Sequence, residues 1–119
     1  MSGGTSGATE ARAKQLGIKY CFVGVQNKYK VLKEFQEDKR ISSSCTAYVG
    51  DDINDIVVRP LVSLLFAPHD ASSLLINISD MRLSKSGGSG AIRELANRIL
   101  KAKNLLNVFS TKGWLKRNL

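Results

Sequence analysis

The chain has 119 residues, 43% of them hydrophobic, a size and composition typical of a single globular domain. No apolar run approaches the roughly 18 residues that a membrane-spanning helix needs. The first residues also lack the basic and apolar regions of a signal peptide. These features argue against a membrane protein and predict a cytoplasmic one with no membrane partner.

The last third of the chain carries its net charge of +8. Residues 1–81 contain nine Lys/Arg and nine Asp/Glu, whereas residues 82–119 contain nine basic residues and one acidic residue, Glu94. Such a block could contact nucleic acid, an acidic partner or an anionic substrate. Because only Phe109 and Trp114 are aromatic there and no nucleic-acid motif accompanies them, we expect no nucleic-acid partner. A basic binding module stays an alternative for this block.

The first half of the chain alternates helix-like and strand-like segments. Residues 6–16 are predicted to form a helix that Gly17 ends in a left-handed conformation. Residues 20–25 are a short apolar run rich in aromatic and β-branched residues, which predicts a buried strand. An amphipathic helix is predicted over residues 27–39. A second short strand is predicted over residues 46–49.

The second half continues this alternation and leads into a weakly patterned tail. The predicted elements are a short helix over 55–61 that breaks near Pro60, a strand over 64–67, a helix over 72–78, a strand over 81–83 and a glycine-rich loop over 86–90. The last helix has one apolar face, formed by Ile92, Leu95, Ala96, Ile99 and Leu100. Strands separated by helices predict an α/β fold, a Rossmann-like parallel sheet with helices on both faces.

Three carboxylates, Asp51, Asp52 and Asp55, follow the strand predicted over 46–49. Ligands of such sheets bind beyond the carboxyl ends of the strands. Clustered carboxylates repel one another unless a cation lies between them, and Mg²⁺ is held by one or two carboxylates with water and phosphate oxygens. The spacing is therefore compatible with a magnesium site but does not by itself require one. The alternative is an acidic surface turn in which one aspartate caps the next helix.

Five segments resemble one family, in the family's order. Residues 48–55 (Tyr-Val-Gly-Asp-Asp-Ile-Asn-Asp) resemble the fourth motif of the haloacid dehalogenase superfamily, and more narrowly that of the 3-deoxy-D-manno-octulosonate 8-phosphate phosphatases. Residues 2–18 are similar to the second motif and its helix, and residues 23–28 to the segment that supplies the third-motif lysine. The two late signatures of the family resemble residues 67–71 and 87–94. The resemblance extends to about residue 103 and implies a capless haloacid dehalogenase domain over 1–103, followed by a basic tail over 104–119.

The resemblance implies roles for individual residues. It makes Lys28 and Ser2 catalytic: the lysine neutralises charge on the transferred phosphoryl group, and the serine hydroxyl binds a phosphoryl oxygen. It makes Asp51 a magnesium ligand, with Asp55, and also Asp52, as a second ligand or an outer partner. The substrate-binding residues that it implies are Gly3, Gly87, Gly88 and Arg93.

The chain departs from the family's pattern in one large respect and two small ones. The family's first motif, an Asp-x-Asp pair that supplies the nucleophile and the general acid/base, occurs nowhere in the 119 residues. We therefore expect a fold truncated at the N-terminus, a fragment inactive alone, because no aspartyl-phosphate can form without that aspartate. Gly4 and Ser89 stand where the family usually has arginine, which puts the usual sugar-phosphate specificity in doubt.

The resemblance also implies a substrate, partners and a rival function. The family hydrolyses a sugar-acid phosphate for lipopolysaccharide synthesis, depends on Mg²⁺ and forms homotetramers in which neighbouring subunits close each active site. A related domain lies at the C-terminus of acylneuraminate cytidylyltransferases. An assembly role in such an enzyme is therefore the alternative to phosphatase activity.

Overall fold

The computed structural model describes residues 1–5 and 7–102, which divide into two compact units. Unit 1 comprises Met1–Tyr48 and Asn54–Leu64, and unit 2 comprises Val49–Ile53 and the described residues from Leu65 onward. The basic tail predicted over 104–119 lies outside the described residues. Within the described ranges, no helix combines the length and the apolar character needed to cross a membrane.

Helix α2, Lys28–Lys39, organises unit 1. Asn27 caps its start, because the Asn27 side-chain oxygen accepts a hydrogen bond from the Lys30 N–H at 3.0 Å. Arg40 ends it in the left-handed conformation, with φ of 54°. The buried amide of Gln36 donates to the Thr46 hydroxyl at 2.9 Å and to the Leu61 carbonyl at 2.8 Å. This side chain joins α2 to the later part of the unit, and the helix predicted over 27–39 is confirmed.

The other elements of unit 1 are short. Helix α1 covers Gly7–Gln15 and ends before Gly17, which has φ of +70° as predicted. A 3₁₀ turn covers Ser43–Cys45, and a longer 3₁₀ helix covers Ile53–Leu61. Pro60 lies inside that helix, so the prediction that the helix breaks there is wrong. Because proline has no N–H group, the 3₁₀ helix continues past Pro60 without the backbone hydrogen bond that this residue would otherwise donate.

The prediction of a strand over residues 20–25 is wrong, because the structure has no strand there. Its backbone is hydrogen-bonded to the first residues of the chain, with Ser2 donating to the Phe22 carbonyl at 2.9 Å and Val25 donating to the Ser2 carbonyl at 3.0 Å. Gly24 has φ of +63°, which bends the segment out of an extended conformation. The aromatic rings of Tyr20 and Phe22 instead lie edge-on to Phe35 of α2, at centroid distances of 5.0 and 5.8 Å. The apolar run therefore reflects packing against a helix.

A three-stranded sheet in the order β1-β2-β3 is formed by Ala47–Val49, Leu64–Ala67 and Met81–Arg82. Strands β2 and β3 are parallel, with Phe66 opposite Met81. Asp80 fixes this register, because its carboxylate accepts from the Leu65 N–H at 2.7 Å and its own N–H donates to the Leu65 carbonyl at 2.8 Å. All three strands were predicted, and so was the helix that connects the last two, α3, Ser73–Ile78, with Ser72 as its cap.

Helix α4, Ala91–Ala102, packs its apolar side into the core of unit 2. The core cluster contains Phe66, Leu83, Ala91 and Leu95, with Val49 and Ile99 packed against it. Ile92, predicted on the apolar face, is 63% exposed. Successive helical residues differ by about 100° in direction, so Ile92 lies about 60° from the centre of the face formed by Ala91, Leu95 and Ile99, at the edge of that face.

Candidate functional site

Asp51 and Asp52 follow the carboxyl end of β1, at an exposed loop of unit 2. The loop begins at buried Gly50, whose N–H donates to the Phe66 carbonyl of β2 at 3.1 Å. The Asp51 carbonyl accepts from Ser72 at 3.0 Å, and the Asp52 carboxylate accepts from the Ile53 N–H at 2.7 Å. The loop backbone is thus fixed while both aspartates lie at the surface.

The loops that follow β2 and β3 are also tied together at this edge of unit 2. The His69 N–H donates to the Lys85 carbonyl at 3.0 Å, and the Gly87 N–H donates to the Asp70 carboxylate at 2.9 Å. The amide of Gly87, predicted to approach the substrate, therefore has a partner within the protein. Gly88 and Gly90 have φ of +77° and +99° with open space where a Cβ would lie. These two glycines serve the turn of the loop rather than a close approach to atoms of unit 2.

Glu94 holds the start of the glycine-rich loop. Its carboxylate accepts from the Ser84 hydroxyl at 2.8 Å, from the Ser84 and Lys85 N–H groups at 3.1 and 2.9 Å, and from Arg98 at 3.0 Å. The backbone bond from Ser84, with the bonds from Lys85 and Arg98, lowers the pKa of Glu94 to about 2. A charged Glu94 therefore anchors this loop to α4, beside the exposed Arg93.

Lys28 and Asp55 form a buried ion pair in unit 1. The Lys28 Nζ lies 2.7 Å from the Asp55 Oδ1, and the two side chains are 10% and 3% exposed. The same Oδ1 accepts from the Tyr48 hydroxyl at 2.7 Å, and Asn54 offers Lys28 a second acceptor at 3.4 Å. Burial strengthens these charge-assisted bonds and fixes the lysine side chain in one place.

Ser2 and Gly3 lie in a turn at the start of unit 1. The Ser2 hydroxyl oxygen accepts from the Gly4 N–H at 3.2 Å, which orients it. A hydroxyl that accepts one bond still has a proton to donate. A Cβ on Gly3 would approach the Val25 carbonyl at 3.5 Å, an ordinary contact, so close packing does not require glycine there.

The structure joins some predicted site residues and adds others. It joins Lys28 to Asp55, and it sets Asp51 and Asp52 beside each other. Among the described residues, no group of three His, Cys, Asp or Glu side chains is arranged to hold a metal ion. Sequence reasoning gave no role to Tyr48, Asn54, Asp70 or Glu94, although all four lie inside the segments that carry the family resemblance.

Comparison with known proteins identifies relatives over nearly the whole chain, although no family model matches it. The 3-deoxy-D-manno-octulosonate 8-phosphate phosphatase of Haemophilus influenzae is 35% identical over 117 residues, 98% of this chain and 65% of the relative. The structure of the cobalt-bound form of that phosphatase has a TM-score of 0.87 at 34% identity, covering 95% of this chain and 67% of the other. The Moraxella catarrhalis phosphatase, in complex with magnesium ion, phosphate ion and a KDO molecule, has a TM-score of 0.87 at 31% identity over 92% of this chain and 63% of the other.

The parallel sheet with its flanking helices and the acidic loop define an α/β protein of the haloacid dehalogenase superfamily. A hydrolase of that superfamily from Legionella pneumophila agrees, with a TM-score of 0.88 at 29% identity over 96% of this chain and 62% of the other. Within the superfamily, the chain belongs to the family of 3-deoxy-D-manno-octulosonate 8-phosphate phosphatases. It spans about 57% to 65% of the length of the curated relatives from Escherichia coli and Haemophilus.

Proposed function

We propose that this chain supplies the metal-binding carboxylates and the phosphoryl-binding lysine of a Mg²⁺-dependent phosphomonoester hydrolase. The observation that carries the proposal is the buried Lys28–Asp55 pair, because Asp55 belongs to the same motif as Asp51 and Asp52. A lysine kept in place by a buried carboxylate suits a reaction in which positioning and charge stabilisation do most of the catalysis.

The donor chemistry of the acidic loop fits Mg²⁺. Asp51 and Asp52 are exposed carboxylates on a fixed backbone, and Mg²⁺ is usually held by one or two carboxylates with waters and phosphate oxygens. We assign Asp51 as the ligand, with Asp52 beside it. Asp55 suits the role of an outer partner better, because one of its oxygens already accepts from both Lys28 and Tyr48. When bound, the ion neutralises and orients phosphoryl oxygens.

Lys28 and Ser2 have separate tasks in this proposal. The Lys28 ammonium has three N–H donors, so bonds to Asp55 and Asn54 leave one for a phosphoryl oxygen. The Asp55 carboxylate pairs with the buried ammonium and orients it, and their attraction offsets the desolvation of the two groups at least in part. The Ser2 hydroxyl, oriented by the Gly4 N–H, donates its proton to another phosphoryl oxygen.

The proposed substrate is a sugar-acid phosphate of the 3-deoxy-D-manno-octulosonate 8-phosphate type. The support is the name of the Haemophilus relative and the KDO molecule bound to the Moraxella relative. We extend the proposal to a cytoplasmic homotetramer that serves lipopolysaccharide synthesis, on the strength of the resemblance. Because no Asp-x-Asp pair occurs in the 119 residues, we also propose that this chain releases no phosphate by itself.

The experiment joins the chain to the part of the Haemophilus influenzae phosphatase that it does not match, and measures phosphate release from 3-deoxy-D-manno-octulosonate 8-phosphate with and without Mg²⁺. We expect Mg²⁺-dependent turnover by the hybrid and none by the 119-residue chain. Asp51→Asn in the hybrid is expected to lower kcat by about 100-fold. Asp38→Asn, at an exposed aspartate of α2, is the matched control and should leave the rate within about twofold.

Three results would contradict the proposal. Phosphate release by the unmodified chain would show that another group can accept the phosphoryl group. Equal activity of Asp51→Asn and Asp38→Asn would remove Asp51 from the metal site. Faster turnover of a simple sugar phosphate such as glucose 6-phosphate would replace the proposed substrate class.

A further inference from the structure

A groove of about 490 Å³ runs along the solvent side of α4, within unit 2. It is lined by the glycine-rich loop, through Lys85, Ser89 and Gly90, and by helix residues that include Arg93 and Lys101. Its volume lies in the range of small-molecule sites, which is about 300 to 1,000 Å³. Of the site residues predicted from the sequence, only Arg93 lines the groove; the residues proposed to bind magnesium or the phosphoryl group do not.

The groove is strongly cationic. Arg93, Asn97 and Lys101 are spaced four residues apart and therefore form one stripe along the helix, with Arg98 beside it. Lys85 adds a fourth cation from the loop. Of the lining residues that the structure describes, Glu94 alone is acidic, and together they carry a net charge of +3. Like charges this close destabilise one another unless an anion lies among them.

The carboxylate of Glu94 does not neutralise the groove. Its oxygens accept bonds from Ser84 and Lys85 backbone and from the Arg98 guanidinium. Only Arg98 is therefore paired by it. Within residues 1–5 and 7–102, the side chains of Lys85, Arg93 and Lys101 have no ion-pair partner. Three cations of the groove are thus available to a ligand.

We infer that this groove binds a small multivalent anion, one that carries at least two phosphate or carboxylate groups. The Arg93 guanidinium is a planar fork that matches either group, and the two lysines add point charges. Ser89 and Asn97 supply neutral donors between the cations, and the positive end of the α4 dipole lies at Gly90. Among the described residues that line the groove there is no aromatic side chain on which a base could stack, which favours a small anion over single-stranded nucleic acid.

The test uses the full 119-residue chain, since the inference does not depend on the phosphatase proposal. Pyrophosphate and citrate serve as probes, one with phosphate and one with carboxylate groups, in isothermal titration calorimetry at low and at high salt. We expect at least one probe to bind and its affinity to fall as salt rises. In amide NMR spectra, the probe is expected to shift signals between residues 85 and 101 more than those of α1 and α2.

Matched variants separate the groove from the overall charge. Arg93→Gln combined with Lys101→Gln is expected to weaken binding at least about tenfold. Lys14→Gln combined with Lys30→Gln removes the same charge from exposed positions of α1 and α2, and should change affinity by no more than about twofold.

Several outcomes would overturn the inference. Absence of both heat and NMR shifts with either probe would do so, and this measurement needs no variant. Equal weakening by the two double variants would assign the binding to net charge alone. Much tighter binding of an acidic peptide or of an oligonucleotide than of either probe would make the stripe a macromolecular surface instead.

Discussion

Replacing Asp55 with asparagine keeps the shape of the side chain but removes the charge that Lys28 faces. At the observed 2.7 Å, an effective dielectric constant of about 20 gives an attraction of about 6 kcal/mol, part of which offsets the desolvation of both groups. With side chains only 10% and 3% exposed, solvent screens the pair little. Loss of one partner from such a pair costs about 3–5 kcal/mol. This is a large share of the stability of a small domain, about 5–15 kcal/mol.

Urea unfolding followed by far-ultraviolet circular dichroism measures this loss. Lys28→Met should cost a similar amount, while the double variant should cost less than the sum, because no buried charge is then left alone. Asp38→Asn is the control, since that carboxylate is 74% exposed and lies 3.4 Å from Lys39. It should cost less than about 1 kcal/mol. If Asp55→Asn costs no more than this control, the ion pair is not buried as described. Should Asp55→Asn fail to fold, Tyr48→Phe offers a milder test, with an expected loss of about 1.5–3 kcal/mol.

Three further predictions concern stability elsewhere. Because the pKa of Glu94 is lowered to about 2 from 4.5, its contribution is present above pH 4.5 and is lost as the pH falls toward 2. The free energy of unfolding of Glu94→Gln, measured in urea, should therefore be lower than that of the parent protein at pH 7. The two values should converge as the pH falls to about 2. Gly17→Ala should cost about 1–2 kcal/mol in thermal unfolding, because φ of +70° disfavours a Cβ even in open space, whereas Gly7→Ala should not destabilise. Gln36→Leu should cost about 1–3 kcal/mol in urea, since it leaves the Leu61 carbonyl without its partner; no loss would contradict the bond.

Local signals predicted most of the secondary structure. Gly17 was predicted to end a helix in a left-handed conformation and has φ of +70°, and the helix predicted from Asn27 begins at Lys28 with Asn27 as its cap. The strands over 46–49 and 64–67 were visible as short apolar runs bounded by glycine, serine or proline. At these positions the local conformational preference of the residues agrees with their tertiary packing, so the sequence alone predicts the elements.

Where prediction failed, a distant partner decided the outcome. The run over 20–25 has the composition of a strand, but its two aromatic rings pack on Phe35, thirteen residues beyond Phe22. Ile92 fits the helical period, yet the buried side of α4 is set by its packing with Phe66 of β2 and with Leu83, which follows β3. A single sequence shows the period of a pattern more reliably than the direction that its apolar face will take.

Individual site residues could be chosen from the sequence, but their partners could not. Lys28 alone resembles any exposed lysine at a helix start; its burial and its bond to Asp55, 27 residues away, come from the fold. The hydrogen bonds from Ser84 and Lys85 to the Glu94 carboxylate likewise join two segments that are separated by the glycine-rich loop, in which Gly88 and Gly90 have positive φ. Hydrogen bonds between distant segments leave no periodic pattern in the sequence, so they are seen only in the three-dimensional structure.

In the acidic loop, the partners of each aspartate decide which carboxylate can bind the metal ion. In the sequence alone, Asp51, Asp52 and Asp55 look like three equivalent ligands for one cation. In the structure, Asp55 is buried in unit 1 against Lys28, whereas Asp51 and Asp52 are exposed in unit 2. A carboxylate whose oxygen already accepts from an ammonium and a phenol is a poor competitor for Mg²⁺, because binding the ion would leave the buried ammonium unpaired. We therefore expect the motif to divide its work, with Asp51 facing the metal and Asp55 facing the lysine.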